Sequence, residues 1–373
     1  MKRILCFLLG VSLVLFLAVG CAPKIAAPST TEAPATEETA AEETTTETAV
    51  GQEDAPKGEG VVYYMAPVLF DEFQAGTKLM METSGPELGY EVKSLNANNN
   101  ATRQIEQMDD AITMKPKAII MNAVDSSTIM GSVDKARAEG IPVLVYDRFI
   151  TDTTVDFHSV VGTIKIGKMA VGECVNLLKD KYGEEKGVVL EIMGDPGDMY
   201  TVLIDEGFRE DMAKYPNIEV IAKDTPLWEP TTTATIVDDQ LTARKDIDII
   251  FFHADFRGTA IVPVLESHGY KKGDIQMIGT DGAPTGLQVI RDGWMIETIA
   301  VPMVQQVWGI WSFMDETLAK EEIKAGTYDI KGVESELVIE KWGPTLYLPG
   351  QIITKENADD PNLWGNMKVE IEE

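Results

Sequence analysis

Ala118-Ile119-Ile120-Met121, a helix-length stretch over residues 127–139, and then Pro142-Val143-Leu144-Val145-Tyr146: this succession decides the fold. Short apolar runs rich in Val and Ile, alternating with amphipathic stretches of helical length, are the mark of a parallel sheet wrapped by helices. Upstream the same alternation starts with Val61-Val62-Tyr63-Tyr64-Met65, a helical stretch over 70–87, a strand over 90–95 and a helix over 101–113. Together these elements make one doubly wound lobe.

A second series begins after Val160-Val161-Gly162. It runs as a helix to about 181, a strand over 188–193, a helix to 214, a strand over 218–222 and a helix near 232–243. Strands over 247–252, 275–278 and 295–301 come next, with a helix to 268 between the first two. Residues 302–318 are again helical, and Trp308, Trp311 and Phe313 give that helix a bulky face that needs an existing core, so it returns to the first lobe. The expected fold is therefore α/β, with two doubly wound parallel-sheet lobes joined by a hinge that the chain crosses near Val161, near Val301 and around Lys331. The N-terminal lobe is expected to hold 60–161 plus 302–331, the C-terminal lobe 162–301 plus 332–345, and residues 346–373 a tail.

The ends carry other information. Lys2 and Arg3 precede an apolar run over 4–19 that is short for a bilayer-spanning helix, so residues 1–20 read as an export signal. Leu17-Ala18-Val19-Gly20-Cys21 resembles the lipobox of bacterial lipoproteins, which implies a lipid on Cys21 and a membrane anchor through it. Residues 21–59 are Thr, Glu, Ala and Pro with almost no bulky apolar side chain, a composition that reads as an extended disordered tether. Of three cysteines, Cys6 goes with the signal and Cys21 with the lipid. Cys174 is left without a partner, inside a helical apolar pattern where a small buried hydrophobe is expected.

The formal net charge of -29 argues against nucleic acid, which needs clustered Lys and Arg, and disfavours a strongly anionic ligand. The roughly 310 residues after the tether suffice for two domains of ordinary size. The three histidines, His158, His253 and His268, form no catalytic constellation, and neither a nucleophile elbow, a zinc-protease helix nor a Walker motif is present. No enzyme activity, cofactor or metal is expected.

Candidate ligand-binding residues stand where a strand has just ended. Asp147, Asp255 and Asp281 suit hydroxyl-rich ligands, because each carboxylate oxygen accepts charge-assisted hydrogen bonds in a defined direction, and Arg148 adds a fork of donors beside Asp147. The alternative for the acids is helix N-capping. Phe70 after the first strand and Trp228 in Pro226-Leu227-Trp228-Glu229-Pro230 offer flat faces to a sugar ring, with a core role as the alternative. Gly194-Asp195-Pro196-Gly197-Asp198 reads as a turn that presents Met199 and Tyr200 to the cleft, and His253 is either a ligand contact or a satisfied structural histidine.

Gly140-Ile141-Pro142-Val143-Leu144-Val145-Tyr146-Asp147-Arg148, Gly279-Thr280-Asp281-Gly282 with Gly286, and Glu206-Gly207-Phe208 together resemble the periplasmic binding protein family of type 1, in its ribose, xylose and galactose branch. The resemblance spans about residues 61–340. It implies a monomeric extracytoplasmic solute-binding lipoprotein, in the periplasm or on the outer face of the cytoplasmic membrane. Such a protein closes on a small-molecule sugar and hands it to the transmembrane permease subunits of an ABC importer. It also implies ligand roles for Phe70, Asp147, Arg148, Trp228, Asp255 and Asp281. Ala254, Val301 and Val202 depart from ribose binders, whereas the 194–200 loop and the Trp228 segment are more similar to xylose binders, which shifts the expected ligand to a xylose-like pentose or a hexose. Open alternatives are a sensory or chemotaxis receptor subunit, or another small polar ligand such as a nucleoside, an autoinducer-like furanosyl compound or a polyol.

Overall fold

The computed structural model describes residues 60–367; the export signal, Cys21 and the tether lie outside the described residues. Five parallel strands come first among the described residues: β1 (Gly60–Ala66), β2 (Tyr90–Asn96), β3 (Ala118–Met121), β4 (Val143–Tyr146) and β5 (Phe157–Val161), in the spatial order β5-β4-β3-β1-β2. Every residue of β3, β4 and β5 is buried. A sheet covered on both faces needs apolar side chains on both, which is why β3 and β4 read as unbroken apolar runs, while β5 buries His158 and Ser159 as well. The connecting helices are α1 (Glu72–Glu87), α2 (Ala101–Thr113) and α3 (Met130–Ala138). Asp71 caps α1 by accepting from the Gln74 amide at 2.7 Å, and Asn100 caps α2 by accepting from the Arg103 amide at 3.0 Å.

The second series repeats this plan. After α4 (Thr163–Tyr182) come β6 (Gly187–Ile192), α5 (Met199–Met212), β7 (Ile218–Lys223), α6 (Pro230–Ala243), β8 (Ile249–Phe252), α7 (Gly258–Ser267), β9 (Gln276–Asp281), α8 (Pro284–Arg291) and β10 (Glu297–Ala300). Their strands are parallel in the order β10-β9-β8-β6-β7, the same permutation as in the first sheet. Cys174 is buried within α4, and burial pushes its thiol well above the ordinary range. Among the described residues no helix is long and apolar enough to cross a membrane.

The chain then returns to the first sheet through α9 (Met303–Ser312) and α10 (Met314–Ala319). Trp311 of α9 donates its indole N–H to the Ser84 hydroxyl at 2.7 Å and stacks on Tyr90, ring centres 5.9 Å apart. The strands beyond α10 correct the expected boundaries. β11 (Gly326–Ile330), β12 (Val333–Glu340) and β13 (Gly343–Leu348) extend the first sheet, with β13 parallel to β5, and only β14 (Gln351–Thr354) joins the second sheet, antiparallel to β10. Residues 332–345 thus belong with the first sheet, and the third crossing lies at Pro349-Gly350 instead of around Lys331. The cause is long-range: β13 finds the free edge of β5, and the hairpin partners β12 and β11 follow it. Residues 346–354 thus complete β13 inside the first sheet and add β14 at the edge of the second, so the expected tail begins with two strands.

The three crossings lie side by side. The Gly162 amide donates to the Leu348 carbonyl at 2.9 Å, and Gly350 packs against Ile166 and Ile299.

Candidate functional site

In sheets of this strand order ligands sit beyond the carboxyl ends, at the point where the order reverses. Both sheets turn that edge toward each other. From the first come Asp71, Phe73 and Gln74 after β1, and Asp147 and Arg148 after β4; from the second come Asp198 and Tyr200 after β6, Trp228 after β7, Ala254 and Phe256 after β8, and Asp281 at the end of β9. These residues line one small cavity of about 40 Å³, room for a few water molecules, so the walls stand nearly closed on each other.

Several contacts cross between the two sets. Arg148 Nε lies 2.8 Å from Asp198 Oδ2, with both side chains almost fully buried. The Glu72 carboxylate accepts from the amide and hydroxyl of Thr285, at 3.1 and 2.5 Å, which places a negative charge at the start of α8 where the helix dipole favours it. Asn99 donates to the Leu227 carbonyl at 3.2 Å on the rim.

Within each wall the polar groups hold one another. Asp147 Oδ2 accepts from Gln74 and Asn122 at 3.2 and 3.3 Å, and Arg148 Nη1 donates to the Ala123 carbonyl at 3.0 Å. Opposite, Asp198 accepts from the Tyr200 amide and from the Trp228 indole N–H, and the Tyr200 hydroxyl donates to Asp281 Oδ1 at 2.8 Å. The Trp228 ring covers Gly194 so closely that a Cβ there would sit 2.0 Å from it, and the Arg257 guanidinium lies 5.2 Å from the centre of the same ring, a cation–π contact. Asp147, Trp228 and Asp281 have φ of 66°, 59° and 98°. Left-handed backbone at a non-glycine costs on the order of 1–3 kcal/mol and gathers at functional sites.

Four carboxylates, Asp71, Asp147, Asp198 and Asp281, face one guanidinium among the lining residues. Burial pushes Asp71 up to about 6 and Asp198 up to about 7, with Arg148 pulling both down, and it raises Asp147 and Asp281 too. The closed walls therefore bind protons more tightly than the same groups in water, whose ordinary value is about 3.9. By linkage the ligand-free closed arrangement gains stability as pH falls from about 7 toward 4 and loses it as pH rises through 6–7. The expected result is a smaller radius of gyration by X-ray scattering at pH 5 than at pH 8 for ligand-free protein; equal radii would refute it.

Of the residues singled out in the sequence, Asp147, Arg148, Tyr200, Trp228 and Asp281 meet at this cavity. Three do not. Phe70 is 40% exposed and outside the lining, and Phe73, one helical turn further, takes the inward place. His253 is fully buried, with Nδ1 2.7 Å from the Thr201 hydroxyl and Nε2 3.0 Å from Glu191, and burial lowers it to about 3, so it is neutral. Asp255 turns under the sheet edge, accepting from the Gly282 and Ala283 amides at 2.7 and 3.1 Å and from Thr298 at 2.7 Å. Its carboxylate thus serves the turn before α8. Met199 lines a different groove, with Phe149 and Trp342.

Asp71, Phe73, Gln74, Asp198 and Phe256 were not singled out in the sequence. Asp71 and Asp198 carried one signal, a carboxylate directly before a helix, which reads equally as a cap, and both do cap α1 and α5.

The domain described as "Periplasmic binding protein domain" matches residues 62–322, well over half of the chain. The chain belongs to the periplasmic binding protein family. As a periplasmic binding protein it is a solute-binding protein and not an enzyme. It is similar to the ribose import binding protein RbsB of Salmonella typhimurium, 27% identical over 214 residues that cover 57% of this chain and 70% of the relative. It is also similar to the D-apiose import binding protein of Actinobacillus succinogenes, 27% identical over 225 residues, 60% of this chain and 69% of the relative. In fold, this periplasmic binding protein matches a carbohydrate transporter solute-binding protein of Agrobacterium radiobacter solved with D-arabinose, at a TM-score of 0.70 and 18% identity, covering 82% of this chain and 97% of that one.

Proposed function

We propose that the protein binds one neutral monosaccharide, a xylose-like pentose or a hexose, between its two sheets and delivers it to an ABC permease from a membrane anchor at Cys21. The observation that carries this reading is the charge imbalance of the cavity: buried Asp147, Asp198 and Asp281 with half-buried Asp71, against Arg148. Buried acceptors in such excess need donors. A sugar supplies several hydroxyl donors without adding charge, while its C–H face matches the Phe73, Tyr200, Trp228 and Phe256 rings that line the same space. An anionic ligand would add to the repulsion.

With about 40 Å³ open, a sugar ring enters only after the walls part. The contacts from Arg148 to Asp198 and from Tyr200 to Asp281 then exchange for contacts to hydroxyls. A ligand that touches both walls favours the closed state through its differential affinity. The names of the relatives, ribose and D-apiose importers, agree with a sugar. Of the three departures from ribose binders, Ala254 lines the cavity, whereas Val202 and Val301 do not, so the case against ribose rests on Ala254 alone.

Titration calorimetry with D-xylose, D-ribose, L-arabinose, D-galactose, D-glucose, xylitol and myo-inositol tests the ligand. At least one pentose or hexose is expected to bind exothermically at micromolar or tighter Kd with a negative heat-capacity change; silence across the panel would sink the reading. Labelled palmitate incorporated into wild-type cells but not into Cys21→Ala cells tests the anchor, and equal incorporation would refute it.

A further inference from the structure

Trp364 lies in the segment after β14, in a short 3-10 turn, Trp364–Asn366, and is only 3% exposed although it lines no part of the ligand cavity. Its indole N–H donates to the carbonyl of Asp281 at 2.8 Å. Asp281 is the residue with φ of 98° whose side chain faces the cavity, and its carbonyl also accepts from the Val301 amide at 3.0 Å, so the indole N–H is the second of two bonds that hold the peptide aiming that carboxylate. The indole also meets Phe73 in a T-shaped contact, with ring centres 5.5 Å apart and planes at 82°. Phe73 lines the opposite wall.

The segment is fastened to the second sheet's side of the cleft. Arg291 of α8 donates to Asp359, to the Ala358 carbonyl and to Asn366, at 2.7, 2.8 and 2.6 Å. Gly365 comes so near the Gly282 carbonyl that a Cβ would stand 2.1 Å from it. Trp364 is therefore placed rigidly by its own wall and touches the other wall through one aromatic contact. A strap that served stability alone would have no reason to reach Phe73.

We infer that Trp364 is a positioning residue for the cavity: it fixes Asp281 on one wall and docks on Phe73 of the other when the walls come together. As an affinity determinant it rests on the sugar-binding reading above. As a contact between the two walls it does not.

Trp364→Phe keeps a ring against Phe73 and removes the N–H donor. Its affinity for the tightest sugar of the panel is expected to fall about tenfold, the size of one lost hydrogen bond, chiefly through faster dissociation. The ligand-free melting temperature should stay within about 3 °C of wild type. Trp364→Leu, which loses both contacts, is expected to speed amide hydrogen exchange over residues 71–76 of the opposite wall in ligand-free protein, a change that a purely local strap would not produce. Affinity of Trp364→Phe within about twofold of wild type overturns the proposal while leaving sugar binding intact. If no sugar binds the wild type, the functional reading fails and exchange over 71–76 decides: unchanged exchange in Trp364→Leu overturns the proposal. Should neither variant fold, the wild type decides by NMR: protection of the Trp364 indole N–H from exchange with water supports the bond to Asp281 and nuclear Overhauser contacts between the Trp364 and Phe73 rings support docking, whereas a solvent-like N–H or absent ring contacts overturn the proposal.

Discussion

Arg148→Met is expected to lower the affinity for the bound monosaccharide by about a hundredfold or more, because breaking a buried charged pair costs on the order of 3–5 kcal/mol. Arg148 is the one cation among the lining residues, and it lies 2.8 Å from Asp198 across the cleft. Without it Asp71, Asp147, Asp198 and Asp281 would approach one another with no opposite charge between them. Met fills a similar length without a donor. In the ligand-free protein the walls can part and hydrate the acids, so the melting temperature should move by no more than about 3 °C. Calorimetry with the tightest sugar, set against a thermal melt, separates the two effects. An affinity unchanged by Arg148→Met would show that closure does not depend on balancing those carboxylates.

Asp255→Ala should do the reverse. That carboxylate accepts from two backbone amides and the Thr298 hydroxyl, all buried, and burial pushes it up to about 7 against the hydrogen bonds that pull it down. Removing it strands three donors away from water, at about 1–3 kcal/mol each before relaxation. A loss on the order of 3–5 kcal/mol lowers the melting temperature by about 10 °C in a protein of this size. Asp255→Asn keeps one acceptor oxygen and should fall between. Were Asp255→Ala to melt like wild type while failing to bind sugar, Asp255 would be a ligand contact and its place beneath the turn before α8 would be wrong.

The contrast between Arg148 and Asp255 shows what was legible in the sequence. The alternation of Val and Ile runs with amphipathic stretches is local, so both doubly wound sheets could be read from it, and Asp147 directly after β4 and Asp281 at the end of β9 stand where strand ends predict. Side-chain direction is not local in the same way. His253 follows β8 as closely as Asp147 follows β4, and Asp255 comes two residues later, yet His253 turns into the sheet interior and Asp255 beneath the start of α8. Nothing in the spacing separates these cases, because the turn geometry after each strand depends on what packs against it. Phe70 and Phe73 differ by one helical turn, and which ring faces inward depends on where Asp71 starts α1. The edge hairpin differs from expectation for a similar reason: alternation over 333–340 suggests a strand but not its sheet, and the sheet is fixed by the next strand, β13, which pairs with β5 far earlier in the chain, Thr345 beside His158.

Three neighbouring backbone connections, at Gly162, Val301 and Pro349-Gly350, have a mechanical consequence. A single connection lets two bodies swivel in any direction, whereas several abreast act like the leaves of one flat spring: they flex about a common axis and resist sliding or twisting. Under the proposed motion, each approach would bring the same atoms into the same register, so selectivity is written once into the path itself. A guest slightly too large would hold the jaws apart along their whole length, and one too small would leave its far side wet.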